Sequence, residues 1–141
     1  MSQSPRPAGL PWVSPYLIVK DVDAAIAFYQ KAFQLTKKDA VIGEDSTTWH
    51  AELKYKDQII MIGKEGSYGK TAQSPINSKV DSPVSLYIYC ENVDEFYNKA
   101  IAAGAVSFSA PEDLFWGDRM CRLKDLDGYT WCFATYKGNP G

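Results

Sequence analysis

His50 is the only imidazole in the chain, and Glu52 stands two residues further on. Residues two apart on a strand face the same side. The two can therefore work as a proton-transfer pair if partly desolvated, or give two ligands to a metal. Two ligands hold a metal weakly, so a further donor such as Asp118 would be needed. The three cysteines, Cys90, Cys121 and Cys132, have no close spacing. They form neither a disulfide framework nor a zinc knuckle, and reduced thiols in the cytoplasm are the simpler reading. A nucleophilic thiol needs a base or a positive field beside it. For Cys121 or Cys132 only His50 could supply the base; buried, inert cysteines are the simpler reading. The run Phe115-Trp116-Gly117-Asp118-Arg119 is the other place of interest. Gly117 permits a close backbone approach, and Arg119 offers a planar fork to a ligand's carboxylate or phosphate. Alternatively Asp118 and Arg119 pair with each other, anchored by Trp116. Nine tyrosines bring the aromatic content to 13%, and tyrosines suit surfaces that need an apolar face with a polar tip.

The elements that must position these residues come in two copies. SPYLIVKDVDAAIAFYQKAF begins at Ser14, and SLYIYCENVDEFYNKAIAAG begins at Ser85 with the same layout. Ser14 and Ser85, Tyr16 and Tyr87, Val22 and Val93, and Asp23 and Asp94 are each displaced by 71 positions. A fixed displacement of half the chain predicts two copies of one structural unit. Val13 to Lys20 predicts a strand. Asp21 or Asp23 can cap the following helix, in which Val22, Ile26, Tyr29 and Phe33 form an apolar stripe. Gln34 to Ile42 predicts an outer strand, and Gly43 to Ser46 a turn. Thr47 to Lys56 alternates, with Trp49, Ala51 and Leu53 suited to the helix side and His50 and Glu52 to the other. A turn then leads to a strand from Ile59 to Gly63. The second unit predicts a strand from Ser85 to Glu91 and a helix from Asn92 to Ala103, capped by Asn92 or Asp94 and ended by Gly104. A short strand from Ala105 to Ser109, an aromatic loop from Pro111 to Trp116 and a hairpin of Gly117 to Lys124 with Tyr129 to Tyr136 complete it. The layout is an irregular arm over residues 1–12, one domain over 13–136 and a tail over 137–141. The domain divides into unit 13–63, linker 64–82, long enough to be a flap over a site, and unit 83–136.

Bulk properties exclude several classes. A chain of 141 residues, 45% hydrophobic, suits one compact domain with its own core. A net charge of −2 without a basic patch argues against nucleic acid as a partner. No apolar stretch spans a bilayer, and MSQSPRPAGLPW lacks the regions of a signal peptide.

The phrases PYLIVKDVDAAIAFY, HAELKYKDQIIMIG, PVSLYIYCENVD and FWGDRMCRLKDLDGYTWCFAT, in this order and within this repeat, resemble the vicinal oxygen chelate superfamily, in its glyoxalase/bleomycin-resistance-like branch. The resemblance covers about Val13 to Thr135. It implies an α+β fold in which two tandem βαβββ units form a curved mixed sheet around a cavity, helices outside, and it implies a homodimer. Metal-using members carry four His or Glu ligands, and those positions fall here on Ser14, Met61, Ser85 and Cys132. Two hydroxyls, a thioether and a thiol suit a hard or borderline cation poorly, so the expectation is no metal and no cofactor. If Ser14 and Ser85 face inward, alternation puts Tyr16, Ile18, Tyr87 and Tyr89 on the same face, together with Ile59, Met61, Thr130 and Cys132. With His50 and Glu52 on it and Trp116 and Arg119 at its edge, that face suits a small aromatic or amphipathic organic ligand. The expected function is metal-independent ligand binding. The alternative is a metal-dependent lyase, isomerase or dioxygenase with a non-standard site around His50 and Glu52.

Overall fold

The computed structural model describes residues 4–138. They fall into two compact units: one holds the chain to Gln30 together with Gln34–Gln73, the other Lys31–Phe33 together with the chain from Ser74. Among the described residues no helix is long and apolar enough to cross a membrane.

In the first unit, β1 (Tyr16–Val19), α1 (Val22–Ala32), β2 (Thr36–Ile42), β3 (Thr48–Tyr55) and β4 (Gln58–Lys64) follow in order. The strands make one sheet in the order β1-β4-β3-β2; β1 runs parallel to β4, and the other pairs are antiparallel. β1 starts at Tyr16 rather than Val13 because Pro15 has no N–H to extend the ladder; its carbonyl accepts from Met61 N at 2.9 Å. Asp21 caps α1, accepting from Ala24 N at 3.0 Å. Asp23 instead accepts from the Thr48 hydroxyl at 2.9 Å, which fastens the start of β3 to the helix. Val22, Ile26, Tyr29 and Phe33 are all buried, as their spacing requires. On the sheet, Leu17, Val19, Ala51, Leu53, Ile60 and Ile62 are buried together.

Trp49 departs from the expected alternation. Val41 pairs with His50 and Ile42 with Thr48, so Trp49 is the extra residue of a β-bulge. A bulge re-aims the residue it adds. The Trp49 ring lies over Gly43 and meets Tyr68 edge-on at 5.2 Å.

The second unit repeats the plan with α2 (Pro75–Ser78), β5 (Leu86–Tyr89), α3 (Val93–Ala102), β6 (Val106–Asp113), β7 (Asp118–Lys124) and β8 (Thr130–Tyr136). Its sheet order is β5-β8-β7-β6. The repeat holds at the level of register: Tyr16 pairs with Met61, and Tyr87, 71 positions on, pairs with Cys132. Asn92 caps α3, accepting from Glu95 N at 3.1 Å, and Gly104 follows the helix at φ 107°, a conformation glycine adopts without strain. The core is aromatic. Phe133 lies 4.1 Å from Phe96 and 4.9 Å from Phe33 between ring centroids, and Trp131 lies 4.9 Å from Phe33. Asp125 locks the β7–β8 turn, accepting from Asp127 N, Tyr129 N and the Trp131 indole at 2.9–3.0 Å.

Two expected loops carry regular structure. β6 runs through Pro111 to Asp113, because Glu112 and Asp113 pair with Met120 and Arg119 beyond a bulge that takes up Ala110 and Pro111; a bulge tolerates the missing proline N–H. Residues 64–82 include the last residue of β4, a 3₁₀ turn at Ser67–Gly69 and α2.

Candidate functional site

Each sheet buries one face, and the second packs its buried face against α3. The other face carries most of the chemistry.

On the first sheet, Glu52, Met61 and Tyr16 lie side by side across β3, β4 and β1, and His50 pairs with Gly63 one step along. The Tyr16 phenol passes over Gly63, where a Cβ would collide with it. It thereby reaches His50, with the hydroxyl 3.1 Å from Nδ1. His50 Nε2 lies 3.8 Å from a Glu52 carboxylate oxygen, and the other Glu52 oxygen accepts from Lys38 at 3.4 Å. The Lys70 ammonium sits over the rings of Tyr68 and Tyr16, 4.5 and 5.2 Å from their centroids. The sequence brings Tyr16, His50, Glu52 and Met61 together by strand parity. Lys70 and Tyr68 come from an aperiodic stretch and carry no such signal.

On the second sheet the hub is Asp118, the first residue of β7. Its side chain is 2% exposed, and its Oδ2 accepts from Tyr87 at 2.5 Å, Tyr89 at 2.9 Å and the Trp116 indole at 3.1 Å. Tyr87 and Tyr89 stand on β5 and reach across β8 to β7. They can do so because β8 presents the small Ala134 between them, paired with Tyr89 on one side and Met120 on the other. Ala134, Met120 and Cys132 form a buried floor with Leu114 packed against it. Tyr87, Tyr89 and Trp116 are 43%, 53% and 42% exposed above it. Trp116 is held by a short turn closed by Leu114 N to Asp118 O at 2.7 Å and Gly117 N to Leu114 O at 3.1 Å.

Burial works to raise the Asp118 pKa, but the hydrogen bonds from Tyr87, Tyr89 and Trp116 together outweigh it, and the net direction is down. The carboxylate is thus the stable form at neutral pH. Burial first, then the bond to Asp118, pushes Tyr87 up to about 12. In the unfolded chain a tyrosine ionises near pH 10, so between the two values the folded state holds the extra proton. Its contribution to stability is complete below pH 10 and is lost as pH rises through about 12. Ultraviolet titration is expected to show a phenol ionising near pH 12, moved part of the way back by Asp118→Asn.

Arg119 faces the other way. The next residue along a strand points to the opposite face, and Arg119 makes a two-pronged pair with Asp94 of α3 at 2.9 and 3.0 Å and a third bond to Asp113 at 3.2 Å. It therefore neither pairs with Asp118 nor joins the tyrosines. The parity of Asp118 and Arg119 was the signal in the sequence that separates them. Ser14 and Ser85 lie just ahead of β1 and β5, Ser85 exposed and Ser14 half-buried. Cys121 is buried on the helix face, and burial raises its thiol to about 12, which removes it as a nucleophile. Among the described residues no three His, Cys, Asp or Glu side chains converge as a metal-ligand set. Ser14, Met61, Ser85 and Cys132 offer two hydroxyls, a thioether and a thiol, donors that do not fit a hard or borderline divalent cation.

Comparison with known proteins agrees with this architecture. The family model for the Glyoxalase/Bleomycin resistance protein/Dioxygenase superfamily matches residues 9–133. An uncharacterised protein of Mycobacterium bovis is 33% identical over 123 residues, covering 86% of this chain and 80% of that one. TioX from Micromonospora sp. ML1 superposes with a TM-score of 0.70 at 22% identity, covering 88% of this chain and 97% of that one. FosX, a fosfomycin resistance protein from Listeria monocytogenes whose mutant was crystallised with Mn(II) and a dihydroxypropylphosphonic acid, superposes with a TM-score of 0.65 at 17% identity, covering 92% of this chain and 91% of that one. At these identities the two structures share the fold, and the family match extends to nearly the whole sequence. The chain belongs to the glyoxalase/bleomycin resistance protein/dioxygenase superfamily, built as two βαβββ units with one mixed sheet each.

Proposed function

We propose that this protein binds a small aromatic or amphipathic organic molecule on the open face of its second sheet, without a metal. The observation that carries the reading is the trio of Tyr87, Tyr89 and Trp116, half-exposed yet fixed by one buried carboxylate. Large rings held in place before a ligand arrives lose little conformational freedom on binding, which favours affinity. Their apolar faces and polar edges suit a ligand of mixed character. The donor set Ser14, Met61, Ser85 and Cys132 supports independence from metal. The thiols of Cys90, Cys121 and Cys132 support a reducing, cytoplasmic setting. Action as a homodimer belongs to the same proposal, and sedimentation of the purified protein tests it.

A thermal-shift screen of aromatic and amphipathic compounds is the direct test. At a ligand concentration of about 100 Kd the gain is about 2.7 kcal/mol. For a chain of this size that is a rise in melting temperature of several degrees. The shift is expected to vanish in Tyr87→Ala and persist in Tyr16→Ala. A screen without a hit, or hits indifferent to Tyr87, would count against the site.

A second reading has one specific observation behind it. The Tyr16 hydroxyl is 3.1 Å from His50 Nδ1 and a Glu52 oxygen 3.8 Å from Nε2, three groups on one face that could exchange a proton with a bound substrate. Turnover lost in both His50→Ala and Glu52→Gln would favour that reading.

A further inference from the structure

The second unit holds a charge that no cation balances. Asp118 is almost fully buried, and among the described residues no lysine, arginine or histidine is paired with it. Buried charges are ordinarily paired or coordinate a cation. The nearest arginine in sequence, Arg119, is committed to Asp94 and Asp113 on the opposite face. Hydrogen bonds alone keep the carboxylate ionised, and they come from the polar edges of three aromatic side chains.

Around this charge the rings form walls set at steep angles. Tyr87 and Tyr89 meet at 61° with centroids 5.6 Å apart, and Phe115 meets Trp116 at 88° and 4.9 Å. Tyr136, exposed as well, pairs with Asp118 across β7 and β8. Ring faces attract cations through their quadrupole, tryptophan most strongly. A carboxylate behind the rings adds a field of the same sign. All three bonds to Asp118 end on Oδ2, so the polar edges of the rings take up the acceptor sites of that oxygen. A cation recognised by charge and ring faces, rather than by its own hydrogen bonds, suits the place best.

We propose that the ligand of this site carries an alkylated ammonium group, held against Tyr87, Tyr89 and Trp116 with the charge of Asp118 behind them. This inference rests on the ligand-binding reading above and adds the chemical class.

The test titrates the full chain with choline and with its neutral carbon isostere, dimethylbutanol, following Trp116 fluorescence and the ring resonances of Tyr87 and Tyr89. The two probes have the same shape and differ in charge. Choline is expected to bind about tenfold more tightly. Asp118→Asn is expected to remove most of that preference, weakening choline more than it weakens the neutral probe. Trp116→Ala, at a half-exposed position, keeps the Tyr87 and Tyr89 bonds to Asp118 and is expected to weaken choline several-fold more than the neutral probe, read from the tyrosine resonances. It therefore decides the matter even if Asp118→Asn fails to fold. Equal binding of the two probes, or binding of neither while neutral aromatic hits still need Tyr87, would overturn the ammonium inference and leave the ligand-binding reading standing. Binding of no compound at all, with self-association lost in Trp116→Ala, would overturn both and assign the patch to a second copy of the chain.

Discussion

Trp131→Ala is expected to destabilise the second unit by about 3–5 kcal/mol, and Trp116→Ala, in the same unit, by well under half of that. The two substitutions delete the same indole. Trp131 is fully buried, 4.9 Å from Phe33 and nearly parallel to Phe133 at 12° and 6.1 Å. Its N–H is one of three donors to Asp125, which is itself buried. Removing the indole opens a cavity among rings that have little room to collapse and takes a bond from a buried carboxylate. Whole domains are stable by only about 5–15 kcal/mol, so a loss of this size brings the chain near its unfolding threshold. Trp116 lies above the sheet, and water can replace its contacts. Urea unfolding separates the two: a large fall in midpoint at unchanged slope for Trp131→Ala, and a small one for Trp116→Ala. Equal falls would mean that the partition between core and open face described above is wrong.

Gly117→Ala is expected to damage both stability and binding. Gly117 has φ 99°, and a Cβ there would lie 2.9 Å from a Tyr136 ring carbon and 3.0 Å from the Gly138 carbonyl oxygen. The positive φ alone costs an ordinary residue about 1–2 kcal/mol. The contact with backbone adds to it, since Lys137 N is bonded to Gly117 O at 2.8 Å and that segment cannot easily withdraw. Gly104 provides the control. Its φ is 107°, but a Cβ there meets nothing within 4 Å, so Gly104→Ala reports the strain without the collision. Gly117→Ala should cost more than Gly104→Ala, by denaturant midpoint. It should also weaken ligand binding at least about tenfold, because the displaced turn carries Trp116 and leads into Asp118; a loss of about 1.4 kcal/mol corresponds to that factor. Identical costs for the two glycines, with binding intact, would show that the turn does not set the site.

Much of the fold is legible in the sequence because its signals are periodic. α1 and α3 begin at Val22 and Val93, 71 positions apart as the repeat demands. The stripe of Val22, Ile26, Tyr29 and Phe33 is buried without exception. The same parity that buried Ala51 and Leu53 brought Tyr16, His50, Glu52 and Met61 to one face. What escaped the reading was aperiodic. One extra residue in β3 turned Trp49 away from the helix side, and a bulge carries no periodic mark. A second bulge let β6 pass through Pro111, which alone reads as a break. Lys70 reached Tyr16 from a stretch with no period at all. The role of Asp118 was half visible. Strand parity separates it from Arg119, but the three donors that converge on it come from β5 and from the loop before β7, and only the fold shows that they meet.

The most direct measurement of metal-free ligand binding is calorimetric titration of the strongest screening hit into protein purified without an affinity tag, once in excess chelator and once with nickel, zinc, manganese or iron added. The expected result is the same affinity and stoichiometry in every cell, lost in Tyr87→Ala. Binding that appears only with one of the metals, and that disappears in His50→Ala or Glu52→Gln instead, would contradict it and place the chemistry on the first sheet.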